Sequence, residues 1–363
     1  MTTTDSPAAY QLRRRAFLAR VFARIALAAL PGCRISPGAA KSTRFATKGV
    51  VLIPSDLSLA DWPERAARAG LNTIALHHSA SPQVVARFIQ SENGQRFLDQ
   101  CRQLDLAVEY ELHAMKELLP RELFAQDPSL FRMDALGQRT PDANCCVNSP
   151  HALEVIAEKA VSLSQVLRPT TGRYFLWGDD GRSWCRCTKC RALSDPDQAL
   201  VLENHLWKTL RRADHRATLA HLSYAKTLSA PTQVKPERGI FLEYAPIKRR
   251  YDIPYSQQSK PGDADSLASL DANLRVFPRH TAQVLEYWLD VSRFSHWNRP
   301  AVKLPWNPDV FLADLDAYAA RGIRNVTSFA VWIDADYTNQ DAELLFIAEY
   351  GAGLSGRRPQ QPK

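Results

Sequence analysis

Eight short apolar runs, separated mostly by helix-patterned segments, constrain this chain more than any other feature. They span 50–53, 73–77, 107–113, 173–178, 217–223, 239–244, 283–288 and 325–332. Most do not alternate strictly between apolar and polar residues, the pattern of strands buried on both faces of a parallel sheet. Several intervening segments open with a capping residue followed by proline: Ser81-Pro82, Ser149-Pro150, Asp195-Pro196 and Asn307-Pro308. The side-chain oxygen takes a free N–H of the first turn, and proline has no N–H to leave unpaired there. Behind three of these starts apolar residues recur at helical spacing, over 82–104, 150–167 and 308–320. Strand–helix alternation repeated about eight times predicts an α/β chain folded as a single (β/α)8 TIM barrel, here over residues 49–354.

Two connections are long: 115–148 after the third strand and 248–265, rich in Pro, Ser and Gln, after the sixth. Loops of that length in a compact domain are usually functional. Both leave C-terminal strand ends, the face where barrels bind substrate. A doubly wound open sheet is the alternative, but no Gly-rich phosphate turn follows the first run, which disfavours a dinucleotide fold.

If the barrel is right, the strand ends carry the chemistry. They read His77-His78; Glu109-Tyr110-Glu111-Leu112-His113; Trp177-Gly178-Asp179-Asp180; Ser223-Tyr224; Glu243-Tyr244; Glu286-Tyr287-Trp288; and Trp332-Ile333-Asp334. Carboxylates move protons and bind hydroxyls, while flat aromatics stack on sugar faces, so this mixture predicts a carbohydrate cleft. Asp179 and Asp180 form its centre. One would protonate a leaving oxygen and the other would stabilise positive charge at the reacting sugar or its acetamido group. Mutual repulsion would raise one of their pKa values. Asp-Asp-Gly is equally a turn and cap composition, in which one aspartate merely caps. A metal-dependent hydrolase built on His77, His78 and His113 is disfavoured, because the first run lacks a His-x-His pair.

Close behind lie Cys185, Cys187 and Cys190. They could hold zinc with a fourth ligand from Cys145, Cys146 or a histidine, or form disulfides in an oxidising compartment. Either link would stiffen the loop that presents the two aspartates. No cofactor is expected for catalysis itself, and zinc enters only as a structural ion.

The formal charge is +8, but residues 1–33 carry five arginines against one aspartate, +4 of that total. The remainder shows no run of Lys and Arg interleaved with aromatics, so nucleic acid is not expected as a partner. Arg14-Arg15-Ala16-Phe17-Leu18 resembles a twin-arginine export signal, and Leu30-Pro31-Gly32-Cys33 resembles a lipoprotein cleavage box. Arg20 and Arg24 interrupt the apolar region between them. The expectation is an exported protein, periplasmic or held to a membrane through a lipid at Cys33. The alternative is a basic leader on a cytoplasmic protein. No run reaches the ~18 consecutive apolar residues of a membrane-spanning helix. Residues 34–48 read as a linker and 355–363 as a disordered tail.

Three strings carry a resemblance: F-L-W-G-D-D-G-R-S-W-C-R-C-T-K-C at 175–190, Y-E-L-H-A at 110–114 and F-L-E-Y-A-P-I at 241–247. They resemble bacterial domain-of-unknown-function family 4838, a glycoside hydrolase-like barrel family similar to the hexosaminidase and α-glucuronidase families. The resemblance runs from about residue 50 to 332 and implies a barrel acting on an oligo- or polysaccharide. By likeness to glycoside hydrolase families 20 and 84, Asp179 would orient a substrate acetamido group and Asp180 would be the general acid. The His-x-Gly-Gly-Asp-Glu string of family 20 is absent. An inverting pair with Glu111, Glu243 or Glu286 is therefore the other mechanism. The remaining substrate contacts would come from His77, His78, His113, Trp177, Tyr224, Tyr244, Trp288, Trp332 and Asp334. A non-catalytic carbohydrate-binding lipoprotein on the same scaffold is the competing function.

Overall fold

The structure is a computed structural model in which residues 44–79, 81–258, 266–339 and 344–357 are described. The export and lipidation motifs, most of the 34–48 linker, residues 259–265 of the long sixth loop and the tail from 358 lie outside the described residues. Eight parallel strands close into a barrel in sequence order. They are β1 (Thr47–Leu52), β2 (Thr73–Leu76), β3 (Ala107–His113), β4 (Arg173–Trp177), β5 (Thr218–Ser223), β6 (Ile240–Tyr244), β7 (Gln283–Glu286) and β8 (Asn325–Phe329). β8 closes on β1, with Gly49 opposite Thr327 and Val51 opposite Phe329. All eight expected strands are present, and the observed ends fall within a few residues of the apolar runs.

Helices cover the barrel: α1 (Trp62–Ala69), α2 (Pro82–Gln90), α3 (Glu92–Gln103), α4 (Pro150–Val166), α5 (Asp195–Ala213), α6 (Leu267–Asn273), α7 (Pro308–Ala320) and α8 (Leu345–Leu354). Ser81, Ser149 and Asn307 cap their helices as the cap–proline pairs predict, each accepting a backbone N–H. At the fourth site the cap lies one residue earlier. Ser194 Oγ accepts the Asp197 N–H at 3.3 Å, and Asp195 instead pairs with Arg186 at 2.5 Å. The single helix expected over 82–104 is two. Ser91 is extended, ends α2 and caps α3, and its Oγ accepts the Gly94 N–H at 3.2 Å. A Cβ on Gly94 would meet the Phe88 carbonyl oxygen at 1.9 Å, so the break needs glycine there.

The alternation is also incomplete. Between β5 and β6 the described chain has only a short 3-10 turn at Ala225–Thr227, in a stretch broken by Pro231 and Pro236. Its backbone is satisfied by Asp197 in the first turn of α5, whose Oδ1 accepts the N–H groups of Thr232, Gln233 and Val234 at 2.8–3.0 Å. That carboxylate does for the loop what a helix ladder would have done internally.

Side chains alternate strictly about the barrel wall. Glu109, Glu111, Arg173, Phe175, Trp177, Phe241, Glu243, Gln283 and Thr327 fill the interior. The Phe175 and Phe241 rings lie 5.5 Å apart, and Arg173 bridges Glu109 and Gln283. Residues of the other parity face the helices: Tyr244 donates to Ser266 O at 3.0 Å, and Trp288 Nε1 to Asp314 of α7 at 3.0 Å.

Candidate functional site

At the C-terminal mouth of the barrel lies a cavity of about 300 Å³. The inward residues just past the strands form its floor and wall: His77 after β2, His113 at the end of β3, Trp177 at the end of β4, Tyr287 after β7 and Phe329 at the end of β8. His78, Asp180, Tyr224, Asp290, Trp297 and Trp332 are carried to it by loops.

His77 and His113 share one arrangement. His77 Nδ1–H donates to the Glu111 carbonyl and His113 Nδ1–H to the Gly178 carbonyl, each at 2.7 Å. Since a carbonyl can only accept, Nδ1 carries the proton and Nε2 is left as a lone-pair acceptor. Burial pushes the His77 pKa down to about 3, with His113 adding to the effect. Burial lowers His113 as well, while Asp180 opposes it. Both rings are therefore neutral at ordinary pH. His113 Nε2 lies 3.8 Å from Asp180 Oδ1.

Beneath them sits a layer of buried acids. Gln283 Nε2 donates to Glu243 Oε1 at 2.9 Å and to Glu111 Oε1 at 3.3 Å, and Trp177 Nε1 donates to Glu243 Oε2 at 2.8 Å. Burial holds the Glu111 and Glu243 carboxyls above the usual range, and mutual repulsion adds to it at Glu111. Both are wholly enclosed, and neither lines the cavity. Glu243 orients Trp177 rather than meeting a ligand.

The adjacent aspartates separate. Asp179 Oδ2 accepts from Arg121 Nη2 and from the Asn144 N–H, both at 2.5 Å, and its own N–H donates to Asn144 Oδ1 at 2.8 Å. It thus joins the β3–α4 loop to the β4–α5 loop, and its side chain is 17% exposed. Asp180 is 53% exposed and faces the cavity. Of the pair, only Asp180 therefore lines this cavity.

Four other residues expected at the cleft face away from it. Glu286 and Trp288 have outward parity on β7 and its extension. Glu286 receives Arg249 Nη1 at 2.8 Å and Tyr251 OH at 2.9 Å, and Tyr318 OH as well. Trp288 packs on Phe311, 5.0 Å between ring centres. Tyr244 lies behind β6, bonded to Tyr255 OH at 2.8 Å. Asp334 caps the short helix Ala335–Thr338 through the Tyr337 N–H and pairs with Arg299.

Asp290 was not anticipated from the sequence. It follows β7 and caps the turn Val291–Phe294, where its Oδ1 accepts Ser292 Oγ–H at 2.6 Å and the Arg293 N–H at 3.1 Å. Burial raises its pKa against these hydrogen bonds. The available signal was an aspartate three residues before the basic end of a turn, just past a strand.

Two cavity tryptophans are held in left-handed backbone, Trp297 at φ +55° and Trp332 at φ +70°. Bulky residues adopt this region only where surroundings enforce it. At Trp332 the N–H donates to Asp56 Oδ1 at 3.0 Å, and Arg299 lies 4.5 Å over the ring. Trp297 is 63% exposed at the rim.

The cysteines gather behind Asp179. Cys185, Cys187 and Cys190 are joined by Cys146 from the β3–α4 loop, all four buried and with sulfurs within 4.8 Å of one another. Cys145 is not part of the group. No other set of three or more His, Cys, Asp or Glu side chains among the described residues has metal-ligand spacing.

Several solved barrel enzymes share the architecture. Gan42B, a GH42 β-galactosidase from G. stearothermophilus, superposes with a TM-score of 0.53 at 12% identity over 86% of this chain and 57% of that one. The cold-adapted β-galactosidase from Rahnella sp. R3 gives 0.52 at 12% identity, again over 86% and 57%. The chain therefore spans less than two thirds of either enzyme, and likeness at this identity speaks for the fold. No curated protein matches the sequence. A family profile described as "Domain of unknown function (DUF4838)" matches residues 50–300. That match covers more than half of the sequence, and the chain belongs to this family.

Proposed function

We propose that this chain binds carbohydrate in the barrel-mouth cavity and hydrolyses a glycosidic bond there, with Asp180 and Asp290 as the two working carboxyl groups. The observation that carries this is their placement. One follows β4, the other follows β7, and both line one cavity edged by Tyr224, Tyr287, Trp297 and Trp332. Glycoside hydrolysis needs one carboxyl to protonate the leaving oxygen and another to act on the anomeric centre or on water. Asp290 suits the first role, since it lines the cavity and burial raises its proton affinity against the hydrogen bonds from Ser292 and Arg293 that hold it. Asp180 suits the second, being open to water and beside the Nε2 acceptor of neutral His113. This exchanges the role that sequence likeness gives Asp180. Aromatic faces would stack on sugar rings, and preset tryptophan backbones reduce the ordering cost of binding. The β-galactosidases that share the fold support a sugar substrate, as does membership of a glycoside hydrolase-like family.

The test is turnover of a panel of aryl glycosides and polysaccharides by the wild type, Asp180→Asn and Asp290→Asn, with ligand affinity measured in parallel. Both variants should lose turnover by at least about 100-fold while keeping affinity within a few-fold. Wild-type binding without turnover of any glycoside would favour a non-catalytic carbohydrate-binding protein. Full activity of Asp290→Asn would remove it from the mechanism.

A further inference from the structure

We infer that Cys146, Cys185, Cys187 and Cys190 bind one zinc ion per chain, and that this ion clamps the β3–α4 loop to the β4–α5 loop behind Asp179 and Asp180. The geometry is that of a tetrathiolate. Cys146 Sγ lies 3.9 Å from Cys187 Sγ and 3.8 Å from Cys190 Sγ, and no pair among the four exceeds 4.8 Å. Sulfurs about 2.3 Å from a tetrahedral zinc stand about 3.8 Å apart. The sequence expectation had three thiols and an open fourth place, and Cys146 fills it from a loop 39 residues before Cys185.

The surroundings suit thiolates. The Met133 N–H points at Cys185 Sγ at 3.3 Å and Asn148 Nδ2 at Cys190 Sγ at 3.2 Å. Arg139 Nη1 lies 3.8 Å from Cys185 Sγ. Four thiols that give up their protons to Zn²⁺ leave a net charge of −2, which the guanidinium and the N–H donors offset. The Cys187–Cys190 segment is a tight turn, with the Cys190 and Arg191 N–H groups both donating to Cys187 O at 2.9–3.0 Å. Gln198 of α5 holds the knuckle from the other side, through Cys185 N–H at 3.1 Å and the Cys185 and Cys190 carbonyls at 3.0 and 3.3 Å. An apolar packing role accounts for none of this convergence, and Cys101, a buried thiol in α3, shows nothing like it.

The clamp has a consequence for the cavity. Cys146 is two residues from Asn144, which holds both the backbone and the carboxylate of Asp179. Asp180 is the next residue. The ion therefore fixes the base of the loop that carries a cavity carboxylate without touching the cavity.

The full chain, purified with reductant and zinc, should carry one zinc by elemental analysis. A mercurial thiol reagent should release it stoichiometrically to a chromophoric chelator. Replacement by Co²⁺ should give the strong red-region absorption and thiolate charge-transfer bands of a tetrahedral sulfur site. Cys146→Ser and Cys187→Ser should weaken zinc affinity by more than about 100-fold, since losing even a supporting hydrogen bond can cost 10–100-fold. Cys101→Ala should still hold one zinc. Release should raise amide hydrogen exchange first in 142–148 and 178–190. Retention of no metal by the wild type, or a Co²⁺ spectrum lacking charge-transfer bands, would overturn the site even if the serine variants misfold. A mass four hydrogens short, with two disulfides mapped among these thiols in protein active as isolated, would overturn it in favour of covalent pairing. Exchange rising uniformly across the barrel would overturn the clamp.

Discussion

Arg249→Met is the perturbation that most sharply separates structure from chemistry at β7. Arg249 is completely enclosed between Glu286 and Asp314, at 2.8 and 2.5 Å, and its guanidinium lies 4.6 Å from the rings of both Tyr251 and Tyr255. Burial alone would push the Glu286 carboxyl up, and Arg249 is the largest influence opposing it. Methionine fills similar volume but leaves two buried carboxyls without a cation. Removing one partner of a buried ion pair costs about 3–5 kcal/mol, whereas removing the whole network is often neutral. With about 2–4 °C per kcal/mol for domains of 150–250 residues, the melting point should fall by roughly 6–20 °C. The triple variant Arg249→Met, Glu286→Gln, Asp314→Asn removes every charge of the network but gives up one acceptor at position 314, where the Tyr255 N–H and Trp288 Nε1–H point at different oxygens, and should recover part of that loss. Thermal and urea unfolding followed by circular dichroism measure both. A single variant within about 1 kcal/mol of wild type, or a triple no better than the single, would show that the network does not stabilise the fold in this way.

Two further outcomes follow from the cavity floor. Trp177→Phe removes the N–H that satisfies Glu243 Oε2 and should cost about 1–3 kcal/mol in urea unfolding; a loss under about 0.5 kcal/mol would mean that the buried acid is satisfied otherwise. His77, with a folded pKa of about 3 against an unfolded value of about 6.5, stays neutral in the fold while the unfolded chain takes up a proton. Its contribution is complete above about pH 6.5 and is lost as pH falls from there toward 3, by up to about 1.4 kcal/mol per unit. The stability gap between wild type and His77→Gln should therefore be larger at pH 7 than at pH 5, and an equal gap at both would refute the assignment.

Much of the architecture is legible in the residues because the underlying rules are local. Apolar runs of four to eight residues between capped helices can be satisfied by few folds other than a parallel barrel, and all eight were recoverable. Ser81, Ser149 and Asn307 announce their helices because a cap is a contact within three residues. The break at Ser91 and the shifted cap at Ser194 were missed, because each had a competing residue one or a few positions away with equal local merit.

At the site, residue chemistry was readable but direction was not. Glu286 and Trp288 carry the right functional groups at the right height, yet their parity on β7 turns them toward Arg249, Asp314 and α7. Parity is written in the sequence, but applying it requires knowing which member of each strand faces inward, and that is set by packing across the barrel. Glu111 and Glu243 do point inward, one layer too deep to meet the cavity.

The sequence by itself thus determined the barrel, the mouth at which polar and aromatic groups collect, and the thiol-rich loop, since these depend on pattern and spacing along one stretch of chain. Only the tertiary structure decided that Asp179 anchors a loop while Asp180 faces the cavity, that Asp290 joins it from β7, and that Cys146 completes a set of four thiols. The physical reason is the same each time. A carboxyl or thiol takes its role from the groups that come within hydrogen-bonding or coordination distance, and here those groups are brought together from strands and loops far apart in the chain.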